Sequence, residues 1–353
     1  MIYYIAQLAK TAFPICNVVH YVSFRALAAL VTALGVSLCL GPIFIAHSGE
    51  FFKSKARPYT PENHQKKNMP TMGGIVMVLA VLVAMLLWSN LVKPQVWIAM
   101  LCMMSFAAIG CWDDVSKLSS GKGISAALKF SLQIAAAALV VGVWFYYENP
   151  STALVFPFFK NIHPELGLLF IPWAMFILVG TSNAVNLTDG LDGLAVGTLI
   201  SNFATFSVIA YVAGHVKLAT YLQIPFAGSA EMVIVSASLI GASLGFLWFN
   251  TYPAQIIMGD VGSLGLGAVL AFIVLVSKQE LLLMIAGGLF VAETLSVIVQ
   301  VLSMRFLKRR MFKMAPIHHH FELIGWPESK ITIRFYIISF VLCLIALMTL
   351  KLR

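Results

Sequence analysis

Apolar residues run in long stretches along this chain, and polar residues collect in the breaks between them. Ten stretches read as helices able to cross a bilayer: 24–46, 71–92, 96–112, 127–147, 166–186, 194–213, 231–249, 263–277, 281–304 and 333–350. A crossing takes roughly 20 residues. The pattern therefore predicts an all-α polytopic membrane protein of about ten transmembrane helices, with its chemistry on the loops of one face. The composition agrees: 60% hydrophobic, 10% charged and 25 Phe among 353 residues is too much apolar surface for a soluble core. No separate soluble domain, low-complexity tract or convincing internal repeat interrupts it, so a single integral-membrane domain is expected over 1–353. Residues 1–24 meet their first Lys at Lys10 and are interrupted by Pro14. They lack the charged start and small-residue cleavage site of a secretory signal, and retention is expected.

An even number of crossings returns both termini to one side, leaving 47–70, 113–126, 187–193, 250–262 and 305–332 together on the other. That second set, with Arg334, carries fourteen Lys and Arg against seven on the first. Excess positive charge marks the cytoplasmic side. All five aspartates, Asp113, Asp114, Asp189, Asp192 and Asp260, fall there. The opposite loops 148–165 and 214–230 carry little chemistry. A net charge of +9 in so hydrophobic a chain points to anionic lipid or a phosphorylated substrate and not to nucleic acid. Five scattered cysteines without a CxxC pair argue against a disulfide framework or a zinc site, and read as small buried hydrophobes.

Four polar junctions carry the chemistry. Trp112-Asp113-Asp114-Val115-Ser116-Lys117 places two adjacent carboxylates and an ammonium where a span ends. Neighbouring helical residues diverge by about 100°, so the two aspartates need not share a proton as a dyad and are expected to have different partners. One could bind Mg²⁺ or accept a proton while Lys117 meets a phosphate; a helix cap with a surface ion pair is the alternative. Asn186 to Leu194, NLTDGLDGL, joins two spans with almost no room. Its Asp189 and Asp192 would share a face in a helical turn and suit a sugar or base, or could serve as caps. In Asn250 to Gly267, Asp260 is the lone charge, placed to meet a hard cation. Gly262, Gly265 and Gly267 read as helix-packing positions, like Gly241 and Gly245. No Gly-Lys-Ser/Thr follows, which excludes a Walker loop. The fourth junction carries Arg305, Lys308, Arg309, Arg310 and Lys313, then His318, His319 and His320. The basic run is a topology signal. The histidines suit phosphate or sugar better than zinc, since three neighbours seldom converge tetrahedrally.

Two weaker signals accompany these. Lys66 and Lys67 precede Pro70-Thr71-Met72-Gly73-Gly74, where a helix start beside a cation can hold an anion, or where Pro-Thr is ordinary capping. Glu293 and Gln300 lie seven apart on one face of a span, either as part of a functional site or as interhelix hydrogen bonds.

Taken together, PTMGG (70–74), WDDVSK (112–117), NLTDGLDGL (186–194), MGDVGSLGLG (258–267) and PIHHHFELIGW (316–326) closely resemble the bacterial phospho-MurNAc-pentapeptide translocase (MraY) family, within the polyprenyl-phosphate N-acetylhexosamine-1-phosphate transferases. The resemblance runs over nearly the whole chain in order, and the triple histidine with Gly325-Trp326 suggests the muramoyl-pentapeptide branch. It implies a Mg²⁺-dependent, dimeric enzyme of the bacterial inner membrane. The enzyme would transfer phospho-MurNAc-pentapeptide from UDP-MurNAc-pentapeptide to undecaprenyl phosphate, releasing UMP and forming lipid I of peptidoglycan. By resemblance, Asp260 is the Mg²⁺ ligand, Asp113 the base or the organiser of the lipid phosphate, and Asp114 its essential neighbour. Lys117, Asn186, Asp189, Asp192, Asn250 and the three histidines match catalytic or substrate-binding positions, and Thr71 and one of Lys66 and Lys67 belong to the same set. The chain departs from relatives at Ile257, where they carry Phe, and is one residue shorter between His64 and Pro70. Direct attack and a route through an aspartyl phosphate both fit. A transporter or flippase would need charges near the midplane of several spans; only Glu293 lies well inside one. A sibling transferase would keep the chemistry and change the sugar.

Overall fold

The computed structural model describes residues 1–11, 13–48, 69–159 and 162–351. A short amphipathic α1 (Ile2–Ala9) and a 3-10 turn (Pro14–His20) precede α2 (Val22–Ser48). Then follow α3 (Gly74–Trp88), α4 (Pro94–Ser120), α5 (Ala126–Glu148), α6 (Phe170–Thr188) and α7 (Leu194–Ala213). After the short α8 (Val216–Leu222) come α9 (Ala230–Asn250), α10 (Gly259–Val276), α11 (Leu283–Ala286), α12 (Gly288–Leu302), α13 (Ile317–Leu323) and α14 (Glu328–Thr349). Each of the ten apolar stretches thus carries a helix. Among the described residues nine helices are long and apolar enough to cross a membrane, while α3 has only 15 residues. Among the described residues extended pairing is confined to isolated bridges such as Ala153 with Glu165.

Several boundaries differ from the sequence reading. α10 starts at Gly259 instead of 263, so Asp260 is helical, and α14 starts at Glu328 instead of 333. Three other differences have a local reason. α3 begins at Gly74 because Met72 turns the chain with φ +66 and 70–74 is tied to the loop before α10: Ile257 N donates to Pro70 O, Gly73 N to Ile257 O and Gly74 N to Met258 O, all at 2.8–2.9 Å. α4 runs on past residue 112, because nothing breaks it before Gly121, which closes it in the left-handed conformation (φ +74). The stretch 281–304 divides at Gly287, between α11 and α12.

The axis of the bundle is α10, buried at every residue from Asp260 to Val276 and packed on α4, α6 and α3. Its glycines allow this approach. A Cβ at Gly262 would meet Gly74 Cα at 2.9 Å, one at Gly265 would meet Ala107 Cβ at 3.1 Å, and one at Gly267 would meet Ser182 Cα at 2.8 Å. Gly241 and Gly245 seat α9 against α2 in the same way. Helices that close gain dispersion contacts, since lipid tails supply no hydrophobic drive between them. The five cysteines are free thiols; Cys102 and Cys343 are buried, whereas Cys39 is exposed on α2.

The ends of the bundle differ chemically. At one, Arg25 at the start of α2 forks onto Glu231 at the start of α9 (2.7 and 2.9 Å), and Asn90 N adds a bond to the same carboxylate. That end also opens a cavity of about 580 Å³ lined by Trp144, Glu148, His163, Phe226 and Lys278, between loops whose sequence looked uninformative. The aspartates lie at the other end, where α4, α6 and α9 finish and α5, α7 and α10 begin.

Candidate active site

Asp113 and Asp114 occupy the last turns of α4, and Asp260 the first turn of α10. Close packing of α4 on α10 brings them together: a Cβ on Gly110 would lie 2.2 Å from Asp260 O, so only glycine admits the contact. One carboxylate oxygen from each of the three lies within 4.8 Å of the others, and Asp113, Asp114 and Asp260 are only 3%, 4% and 9% exposed. Each rim aspartate is also fixed by backbone. Ile124 N donates to Asp113 Oδ1 at 2.9 Å and Val261 N to Asp114 Oδ2 at 3.2 Å. Glycines make room here as well, since a Cβ on Gly123 would fall 2.3 Å from Asp113 Oδ1 and one on Gly259 (φ +73) 2.6 Å from Asp114 Oδ2.

Two ammonium groups sit on this trio. Lys117 Nζ lies 2.8 Å from Asp113 Oδ2, 2.9 Å from Asp260 Oδ1 and 3.4 Å from Asp114 Oδ1. Lys129, on the first turn of α5, lies 3.2 Å from Asp113 Oδ2 and bonds Asp260 Oδ2 as well. The adjacent aspartates therefore share Lys117 and differ in their second partners. Three carboxylates against two ammonium groups leave one negative charge over, in a pocket where burial strengthens electrostatic interaction. Oxygen donors in that number and proximity could hold a hard metal ion.

The remaining sequence motifs surround this centre. Asn186 donates to Ser263 Oγ at 2.8 Å, one turn along α10 from Asp260, and Ser263 donates to Gly259 O. Asn250 receives Gly193 N at 3.1 Å and donates to Ile256 O at 2.7 Å, binding the 186–194 turn to the loop before α10. The turn is not helical: Asp189 leaves α6 with ψ 51 and Gly193 takes φ +75. Asp189 is half-buried; Asp192 is 5% exposed and accepts from Ala254 N at 3.0 Å. Both stand outside the carboxylate trio. Thr71 is half-buried in the strap 70–74 beside Met258 and Gly259, whereas Lys66 and Lys67 lie outside the described residues.

The histidines are consecutive residues of α13 and so face different partners. His318 is fully buried, its Nδ1 3.1 Å from Glu293 Oε2 and its Nε2 where a Cβ on Gly190 would stand. His319 Nδ1 lies 2.5 Å from Glu322 Oε2, and His320 Nδ1 accepts from Lys313 N at 3.2 Å. Glu293 is thus tied to the histidine motif, while Gln300 on the same helix bonds the backbone of Met311 and Phe312.

Sequence reasoning passed over Lys129, Ser263 and Glu328. Lys129 had a signal, being the sole charge in the apolar stretch 127–147. Ser263 and Glu328 had none, because a serine near a span start and a glutamate at a helix N-terminus are ordinary.

Known proteins resemble this chain over its whole length. The glycosyl transferase family 4 pattern matches residues 96–278, from early α4 to just beyond α10. The chain is 47% identical over 358 residues to the phospho-N-acetylmuramoyl-pentapeptide-transferase of Solidesulfovibrio magneticus. It is 46% identical over 359 and 364 residues to the proteins of that name from Aquifex aeolicus and Oleidesulfovibrio alaskensis. In all three comparisons the whole of both chains is covered. The chain belongs to the phospho-N-acetylmuramoyl-pentapeptide-transferase family, within glycosyl transferase family 4.

Proposed function

We propose that this chain transfers phospho-MurNAc-pentapeptide from UDP-MurNAc-pentapeptide to undecaprenyl phosphate, forming lipid I and releasing UMP. The observation that carries the reading is the meeting of Asp113, Asp114 and Asp260 with Lys117 and Lys129 at one end of an apolar bundle. Both reactants are anionic, and one is anchored in lipid. Their encounter needs ammonium groups for the phosphates and oxygen donors for a divalent cation, together at a membrane face. The excess of Lys and Arg in the loops on that side supports a cytoplasmic orientation, and the chain is read as a single-domain, homodimeric enzyme of the bacterial inner membrane.

In this mechanism an oxygen of the lipid phosphate attacks the sugar-linked phosphorus in line. A new P–O bond forms as the bond to UMP breaks, and its electron pair leaves on the UMP phosphate. Lys117 and Lys129 lower the repulsion between the two phosphates and hold them for attack. Asp113 accepts a proton from the acceptor phosphate or organises that phosphate through the two lysines. By resemblance Asn186, Asp189, Asp192 and Asn250 serve the donor side and Thr71, His319 and His320 contact substrate, while buried His318 anchors the histidine helix on Glu293. One of Lys66 and Lys67, outside the described residues, is assigned to substrate on the same ground. Asp260, with Asp113 and Asp114, would hold Mg²⁺, which when bound neutralises diphosphate charge and stabilises the departing phosphate.

Supplying UDP-MurNAc-pentapeptide or UDP-GlcNAc with undecaprenyl phosphate to the detergent-solubilised protein, with and without Mg²⁺, tests the reading. UMP should appear with the first donor alone and only with the metal. Equal use of UDP-GlcNAc, or uptake without UMP release, would contradict it.

A further inference from the structure

Glu328, Thr332 and Tyr336 are spaced by four along α14 and lie on one helix face. All three bond the backbone of the same two residues. Glu328 Oε1 accepts from Asp192 N at 2.5 Å, the Thr332 hydroxyl reaches Asp192 O at 3.5 Å, and the Tyr336 hydroxyl donates to Gly193 O at 2.7 Å. Two glycines accommodate the tyrosine: a Cβ on Gly193 would fall 2.8 Å from its hydroxyl, and one on Gly197 2.1 Å from Cζ. Beneath these bonds, Leu191, Leu194, Ile331 and Phe335 form a small apolar cluster apart from the main core, and exclude water.

The turn between α6 and α7 leaves two of its amides to be satisfied from elsewhere: Asp192 N by Glu328 of α14 and Gly193 N by Asn250. The Gly193 carbonyl, which accepts from Gly197 N at 2.9 Å, takes a second bond from Tyr336 of α14. A buried carboxylate beside an N–H makes a strong, directional bond, and removing the acceptor leaves that amide without a partner. The conformation of the turn, and with it the placement of Asp189 and Asp192, is held by α14 together with Asn250 and the backbone of Ala254.

We propose that Glu328, seconded by Tyr336, is a positioning residue for the donor: α14 helps to hold the 189–193 turn in the shape that receives the nucleotide sugar. The inference rests on the donor-side placement of Asp189 and Asp192 proposed above. The test measures KM for UDP-MurNAc-pentapeptide and for undecaprenyl phosphate separately, in wild type, Glu328→Ala, Glu328→Gln and Tyr336→Phe, with the melting temperature of each. Glu328→Ala should raise the donor KM about tenfold, the scale of one lost charged hydrogen bond, with the acceptor KM unchanged. Glu328→Gln keeps an acceptor oxygen and should restore the donor KM. Tyr336→Phe should raise it in the same selective way, and decides the matter alone if Glu328→Ala does not fold. An unchanged donor KM in Tyr336→Phe and in folded Glu328→Ala, a parallel rise in both KM values with a fallen melting temperature, or no rescue by Gln overturns the proposal. A folded wild type that releases no UMP from this donor refutes the underlying function instead, and the inference with it.

Discussion

Lys117 reaches from the last turn of α4 to the first turn of α10, placing its Nζ 2.9 Å from Asp260 Oδ1. The same nitrogen lies within 3.4 Å of both Asp113 and Asp114. One side chain therefore ties two distant sequence motifs into a single charged centre. Lys117→Met keeps the length of the side chain and removes the charge. Transfer should fall on the order of a hundredfold or more, the scale of losing one preorganised electrostatic partner. Lys129→Met should act in the same direction. The check is the rate of UMP release per folded molecule, and retention of most of the wild-type rate in both variants would show that the lysines serve folding and not transfer.

At the opposite end, the Arg25–Glu231 pair is a structural staple. Both groups are nearly buried and their two bonds span α2 and α9. Arg25→Met leaves an uncompensated buried carboxylate and should cost about 3–5 kcal/mol. Adding Glu231→Gln, which keeps an acceptor for Asn90 N, should recover most of that. Unfolding in mixed micelles measures both. Additive losses in the double variant would mean that the pair is not coupled.

Burial holds the Glu280 carboxyl above its ordinary value of 4.5 and the Lys278 ammonium below its own, and each offsets the other only in part across 3.5 Å. A group whose folded pKa is raised contributes stability that is complete below its unfolded pKa and is lost as pH rises through the folded one. Glu280→Gln should therefore gain stability relative to wild type between pH 4 and pH 7. Melting temperatures at the two ends of this range decide it, and a gain by wild type as pH rises would reverse the assignment.

The fold was highly legible in the sequence because the bilayer imposes long apolar helices, and all ten stretches contain one. Boundaries were less legible where polar residues continue a helix. Asp113, Asp114 and Lys117 looked like a loop because they are charged, yet they occupy the last turns of α4. The meeting of Asp113 with Asp260 could be expected from topology alone. Lys129 escaped because it lies inside an apolar stretch, and its role depends on which face of α5 turns inward. Glu328 escaped for a different reason: its bond to Asp192 N spans 136 residues and leaves no local pattern. The glycines were legible as a class, but only their neighbours show that Gly110 and Gly123 shape the centre while Gly241 and Gly245 merely seat helices.

The central claim, that Asp113, Asp114 and Asp260 form one divalent-cation site, is tested most directly by titrating the purified protein with Mn²⁺ and following the free ion by electron paramagnetic resonance. Wild type should take up one Mn²⁺ per chain, displaceable by Mg²⁺, and folded Asp260→Asn should lose that uptake. Equal binding by the variant, or none by either, would contradict the account.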